Sequence, residues 1–418
     1  MTEQDKFAIE KIISAAEKNG LDVKTGKIRR TSSRFCLGVE HGDYNGTELF
    51  GVGTDRFIWM AYKPNGTNKS RFFSVNFPED GVVEFETGKA PEPKSVHDSW
   101  ARFPLGVDYI LHREGFNVST GIDAVLFGNI PGGGMSRSAS LSLNLILTIL
   151  EINKIEMDDK NHIVDLAQMV ENDYIGSPCG ILDQTMILFA KKGMGTHYNP
   201  ADRSIKYILL GKSDEEFRIV SLDTGTVRPG LEKSTYKIRK EECDELVELL
   251  KDEFEISCLA DVKTQELYDR IIARVKTSNP DLCDRLDYIF HAQQRFYKMI
   301  AAWKTGDIAA VGKIFRTDGL SLRDKYKISG PELETMCDIA RTVPGVFGER
   351  MLGGGDKGAA GAIVRMTSVE KLKYAIETAY PRSHPDLADK FAVHSCKIVD
   401  GVKEWDMVWN PESIISNK

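Results

Sequence analysis

The chain has no apolar run approaching the roughly 20 residues that span a bilayer. It has no basic excess either: 55 Lys and Arg stand against 62 Asp and Glu, a formal net charge of −7. With the two signs interspersed, that balance argues against a basic-patch nucleic-acid binder and for a solvated surface. Cysteine numbers seven, an odd count with no closely spaced metal-type pair, so reduced thiols in a cytosolic setting are expected. Residues 1–19 are charged and helically spaced, unlike a secretory leader. There is no internal repeat, no low-complexity tail, and no Gly-Lys-Ser/Thr closing a Walker A loop. What remains is ordinary globular composition, 41% hydrophobic and 28% charged. At 418 residues two domains are expected, divided here as 1–212 and 213–418.

The most informative stretch is Gly128-Asn129-Ile130-Pro131-Gly132-Gly133-Gly134-Met135-Ser136-Arg137-Ser138-Ala139-Ser140. Asp123 to Phe127 before it reads as a buried strand, and Leu141 to Ile152 after it as a largely buried helix. Glycines and serines at a strand-to-helix junction suit an anion, because backbone N–H groups at the helix start lack partners and the dipole favours negative charge. A flexible loop with a serine N-cap is the plainer alternative. The flanking strand, the serine cluster and the helix together favour a phosphate site.

Upstream, Arg34 to Gly38 is a short strand running into a turn that crowds Glu40, His41 and Asp43. Two acids and an imidazole suit a polyhydroxylated ligand. A polar hairpin with an Asn45-Gly46 turn fits equally well, and a metal site is a weaker third option. Residues 48–85 read as a meander of short strands, 100–112 as a helix, and 160–174 as a helix carrying Glu171 near its end. Trp100 reads as core, or as a surface for an adenine ring. Asp183 opens the next apolar helix, where an acid is usually a cap or a dipole partner. Residues 201–212 are a plausible crossing between domains. Beyond them come a strand at 218–222, a charged helix at 236–251 and further helices to Gly319, in which Tyr288, Phe290, Phe296, Tyr297, Ile300 and Trp303 read as core. A second Gly-rich stretch, 348–364, is a loop leading into a strand and, paired with the first, could close over the same phosphates.

These motifs together resemble the galactokinase family of the GHMP small-molecule kinase superfamily. Arg34 to Asn45 is similar to the signature Gly-Arg-Val-Asn-Leu-Ile-Gly-Glu-His-x-Asp-Tyr-Asn, and 128–140 to the superfamily phosphate loop. Cys179-Gly180-Ile181-Leu182-Asp183-Gln184 resembles Cys-Gly-Ile-Met-Asp-Gln. Ser234-Thr235-Tyr236 with Arg239 and Cys243, and Val343 through Met351, resemble segments of the family's second half. The resemblance implies an α/β (α+β) GHMP kinase-like fold of two domains, the first of the ribosomal-protein-S5-domain-2-like type and the second ferredoxin-like. It implies an ATP-dependent sugar 1-kinase in the cytoplasm, a monomer or weak dimer, with no nucleic-acid or membrane partner.

By position, the resemblance makes Asp183 the residue beside the anomeric hydroxyl and Arg34 its partner. Ser138 and Glu171 become Mg²⁺ ligands. Glu40, His41, Asp43, Gly180 and Tyr236 become sugar contacts, while Gly132, Gly133, Gly134, Ser136, Arg137, Ser138 and Trp100 face ATP. The sequence departs from the family at Gly38-Val39, at Arg137 in place of a serine, and at Asp356-Lys357 in place of Phe-Gly. Sugars other than galactose (L-arabinose, galacturonate, an N-acetylated hexosamine) and a non-catalytic sugar and ATP sensor are the alternatives. Retained Glu40 and His41 favour a free 6-hydroxyl over a uronic acid.

Overall fold

The computed structural model describes residues 1–93, 95–227 and 235–407; Ser234 of the tyrosine segment lies outside these. The chain opens with helix α1 (Glu3–Lys18), started by a reciprocal capping box between Thr2 and Asp5. Asp5 is buried and does more than cap. Its Oδ1 accepts from Arg30 at 2.6 Å and from the Trp59 indole at 2.9 Å, which seats α1 on the first sheet.

That sheet contains β1 (Lys27–Gly38), β2 (Leu49–Pro64), β3 (Lys69–Ser74), β4 (Val82–Glu86), β5 (Ile122–Gly128), β6 (Met194–Asn199), β7 (Ser204–Leu209) and β12 (Val402–Asp406). Its main path runs β12-β1-β2-β5-β3-β4, with β6 and β7 branching from β2. The expected meander is corrected here. β5 lies between β2 and β3 and runs parallel to β3, so consecutive strands are not all neighbours. β2 is also one strand rather than several. The polar Asp55-Arg56 that looks like a break falls at a register shift opposite Ser32 and Ser33, absorbed as a bulge.

Helices α2 (Arg102–Arg113), α3 (Arg137–Ile152), α4 (Lys160–Met169) and α5 (Leu182–Leu188) pack with this sheet. α3 is buried on its polar side too, because Asn144 donates to the Ile58 carbonyl at 3.1 Å and to Thr31 at 3.2 Å. The expected single helix over 160–174 ends earlier. Its last part, Val170–Ile175, widens into a π turn, a form often found at functional sites. Residues 201–212, expected as the crossing, instead contain β7, because Ser204–Leu209 alternates and pairs with β6.

The second sheet has β8 (Phe217–Asp223), β9 (Val346–Met351), β10 (Ala359–Arg365) and β11 (Ala392–Cys396) in the order β11-β8-β10-β9. First and last strands adjoin and the third lies between first and second, all antiparallel, which is the ferredoxin-like arrangement. Between β8 and β9 come α6 (Thr235–Phe254), α7 (Gln265–Val275), α8 (Pro280–Thr305), α9 (Ile308–Asp324) and α10 (Pro331–Arg341). α11 (Val369–Ser383) links β10 to β11. Of the expected core aromatics on α8, Tyr297 is 58% exposed. Its hydroxyl reaches Glu48 at 2.6 Å and is satisfied at the surface.

The chain then returns to the first sheet through β12 beside β1. We propose a division near residue 212 with this amendment, that residues 402–406 belong to the first sheet. The two halves share one core: Phe35, Leu37, Phe50 and Val52 pack with Ile219, Phe296, Phe315 and Ile363. Among the described residues no helix is long and apolar enough to cross a membrane.

Candidate active site

All fifteen residues singled out from the sequence line one cleft of about 520 Å³. β1 carries Arg34 in and delivers the turn with Glu40 and His41. β5 and α3 bracket the first Gly-rich loop, and the N-terminus of α5 brings Asp183.

At the floor, Arg34 Nε donates to Asp183 Oδ1 at 2.7 Å. The Arg34 side chain is 2% exposed and that of Asp183 32%, so the acid faces the cleft with the guanidinium behind it. Burial works to lower the Arg34 pKa, but Asp183 and Glu40 outweigh it and leave the pKa raised. Arg34 Nη1 also donates to the Gly134 carbonyl at 2.6 Å, tying the acid to the Gly-rich loop.

On one side of this pair lies a polar, aromatic end. The Leu182 N–H donates to Asp43 Oδ2 at 3.1 Å. Burial pushes the Asp43 carboxyl up to about 6, with that N–H opposing. His41 Nδ1 lies 2.9 Å from the Tyr44 hydroxyl, and its ring lies 5.3 Å from that of Tyr236. The segment is a hairpin connection, as the plainer alternative has it, since it joins antiparallel β1 and β2. Asp43–Asn45 forms a single 3₁₀ turn, and Glu40 and His41 are buried rather than solvated. Glu40 Oε2 accepts from Arg350 Nη2 at 2.9 Å. Arg350 belongs to a motif legible in the sequence, but nothing there links it to Glu40.

On the other side the two Gly-rich loops pack together. A Cβ on Gly133 would lie 2.3 Å from the Gly358 Cα, an approach only glycine permits. The Gly358 N–H donates to Thr226 Oγ1 at 2.9 Å, and Gly353 and Gly354 line the cleft as well. Ser136 occupies the N-cap position of α3, but the expected serine cap is not made. The residue is left-handed (φ 58°), and its buried Oγ has no hydrogen-bond partner among the described residues. The Arg137 guanidinium sits 5.7 Å from the Phe77 ring centroid. Trp100 lines this end, its buried Nε1 without a hydrogen-bond partner among the described residues. Asp356 and Lys357 do not line the cleft; Asp356 accepts from Thr235 Oγ1 at 3.0 Å instead.

Between the two ends Ser138 Oγ donates to Glu171 Oε2 at 2.9 Å, and Gln184 Nε2 to Glu171 Oε1 at 3.0 Å. Burial pushes Glu171 up to about 7. Among the described residues no group of three or more His, Cys, Asp and Glu is arranged around a metal. A hydroxyl and a carboxylate nonetheless fit Mg²⁺, which takes one or two protein oxygens and completes its shell with water and phosphate.

The fold and the paired glycine loops define the GHMP class of small-molecule kinases. In agreement, the family described as "GHMP kinases N terminal domain" matches residues 106–191. The chain is 30% identical to the galactokinase of Exiguobacterium sibiricum over 89% of its length and 92% of that protein. It is 28% identical to that of Limosilactobacillus fermentum, over 96% and 99%. A crystal structure of Lactococcus lactis galactokinase complexed with galactose superposes with a TM-score of 0.85 at 26% identity, covering 94% and 98% of the two chains. The chain belongs to the galactokinase family, and it is a kinase that uses ATP.

Proposed function

We propose that this kinase transfers the γ-phosphoryl group of ATP to the anomeric hydroxyl of galactose. The observation that carries the reading is the Arg34–Asp183 pair, poised between an acidic, aromatic end and two opposed glycine loops. A sugar hydroxyl is a poor nucleophile near neutral pH. Asp183 accepts its hydrogen bond and points its oxygen at the phosphorus, while Arg34 holds the Asp183 carboxylate in place and offsets developing charge. As the new O–P bond forms, the bond to the β-phosphate oxygen breaks.

Glu40, His41, Asp43, Tyr236 and the Gly180 backbone hold the sugar. The acids there favour a neutral hydroxymethyl group over a uronate carboxylate, since the cation at that end, Arg350, is already engaged by Glu40. Gly132, Gly133, Gly134, Ser136 and Arg137 hold the phosphates with backbone N–H groups and one guanidinium, and Trp100 backs the adenine. Ser138 and Glu171 would hold Mg²⁺. When bound, that ion neutralises phosphate charge. The same reading makes the chain a cytoplasmic monomer or weak dimer, acting on small molecules and not on nucleic acid or membranes.

ADP release measured across galactose, L-arabinose, galacturonate and N-acetylgalactosamine tests the proposal, with phosphorus NMR locating the phosphate. Galactose is expected to turn over fastest and to yield the 1-phosphate. Absence of turnover with every sugar, alongside thermal stabilisation by sugar plus ATP, would replace the kinase with a sensor.

A further inference from the structure

Arg350 is a buried charge for which the reading above gives no use. It sits on β9 of the second sheet, its side chain wholly buried. Nη2 donates to Glu40 Oε2 at 2.9 Å and to the Cys36 carbonyl at 3.0 Å. The guanidinium lies 4.4 Å from the Phe315 ring centroid, and Nη1 is 3.8 Å from Asp318 Oδ2. Asp318 in turn accepts a hydrogen bond from Arg295 on α8. Alternating charges thus run from the helical layer of the second domain to the cleft.

Such a pair adds little stability, because desolvating both ions offsets their attraction. Among the described residues Nε and Nη1 also find no hydrogen-bond acceptor, which adds cost. The consequence of the pair lies in Glu40. Arg34 and Cys36 face it from β1, Asp43 from the following turn and Asp183 from α5. From α8, Tyr288 donates to its backbone carbonyl at 2.8 Å. Burial, with the two aspartates, leaves the Glu40 pKa raised, and Arg350 and then Arg34 are the groups that oppose it and favour the carboxylate. Arg34 is shared with Asp183, so Arg350 is the cation hydrogen-bonded to Glu40. A carboxylate only accepts hydrogen bonds; a carboxylic acid also donates one. Protonating Glu40 would therefore change the pattern offered to a hydroxylated ligand.

We propose that Arg350 is a positioning residue that fixes Glu40 as a pure hydrogen-bond acceptor toward the sugar, so that the second sheet sets which hydroxyl pattern the first domain reads. This rests on Glu40 being a sugar ligand, as proposed above. Arg350 acts through Glu40 and touches no reacting atom.

The test measures KM for galactose and for ATP in the full chain from pH 5.5 to 8.5, for wild type, R350M, R350K and E40Q. R350M is expected to raise the galactose KM about tenfold or more, the loss of one charged hydrogen bond, with the ATP KM little changed. The pH below which the galactose KM climbs should move up by about one unit or more. R350K should recover most of both effects, and E40Q should raise the galactose KM without the pH shift. R350Q, which keeps a donor without the charge, decides the matter should R350M not fold, and its pH shift should match. A neutral variant with an unshifted profile, or R350K no better than R350Q, would overturn the proposal. An unchanged galactose KM in E40Q would instead remove the sugar-ligand reading, and the proposal with it.

Discussion

Gly180 lies so close against Asp43 that a Cβ on it would sit 1.9 Å from Asp43 Oδ2. No side-chain rotation of residue 180 relieves that overlap, because a Cβ is fixed to the backbone. Gly180→Ala must therefore push either the loop before α5 or the half-buried Asp43 carboxylate, and both border the site proposed for the sugar. Displacements of about 1 Å at a reacting centre cost on the order of 100-fold in rate. A loss of that size in kcat/KM for the sugar, with the melting temperature lowered only modestly, is expected from steady-state kinetics and calorimetry. Activity close to wild type would mean the contact has no bearing on the site.

Asp183 and Arg34 make a second prediction, separable into orientation and proton transfer. Asp183→Ala removes both and is expected to abolish measurable turnover while leaving the fold intact. Asp183→Asn keeps an oxygen acceptor but cannot take a proton. General-base contributions are worth about 10²–10⁴-fold, so a loss of that size in Asp183→Asn assigns the proton to Asp183. A loss under about tenfold would leave hydrogen-bonded orientation of the hydroxyl as its role. Single-turnover rates with pre-bound sugar separate these cases from weakened binding.

The parts of this site that were legible in the sequence are those carried by contiguous residues. Backbone N–H groups at a helix start and a short acidic turn are local devices, so 34–45, 128–140 and 179–184 disclosed them directly. Arg350 did not disclose its role, because its partner Glu40 is 310 residues away and the tertiary fold brings the two together. β12 has no local mark of belonging to the first sheet; that follows from pairing with β1 across nearly the whole chain. The meander expected over 48–85 fails for a related reason, since the polar Asp55-Arg56 inside β2 is taken up by a bulge and β2 runs on as one strand. Ser136 shows the limit of residue preference. Serine is a favoured N-cap, yet in a left-handed conformation its hydroxyl makes no capping bond.

The Asp43 carboxyl sets a pH dependence with a definite sign. Burial raises it from 3.8 to about 6. A raised acid favours the folded state fully only below its unfolded pKa, and that contribution is lost as pH rises through about 6. The ionised form at neutral pH then costs about 3 kcal/mol, at 1.36 kcal/mol per unit. Asp43→Asn is expected to be more stable than wild type at pH 7.5 and to lose that advantage by pH 4, read from urea midpoints. In the sugar contact proposed for Asp43 the same charge accepts from the ligand, so the wild-type galactose KM should climb as pH falls below about 6. A pH-independent stability difference would show that Asp43 is not held ionised against its surroundings.

The Ser138–Glu171–Gln184 chain gives the last prediction, on the metal. Glu171 takes one hydrogen bond on each oxygen, from Ser138 Oγ and from Gln184 Nε2, and so has one orientation in the cleft. Removing magnesium with EDTA should stop ADP release, and adding Mg²⁺ back should restore it. Ser138→Ala deletes a proposed ligand, whereas Gln184→Leu leaves both ligands and deletes only the bond that orients Glu171. Outer-shell partners of metal ligands are worth about 10–100-fold in metal affinity. Both variants should therefore raise the Mg²⁺ concentration for half-maximal rate by at least about tenfold, with the galactose KM little altered. If Gln184→Leu moved the sugar KM and left the Mg²⁺ titration unchanged, its role would lie with neighbouring Asp183 and the orientation of Glu171 would come from Ser138 alone.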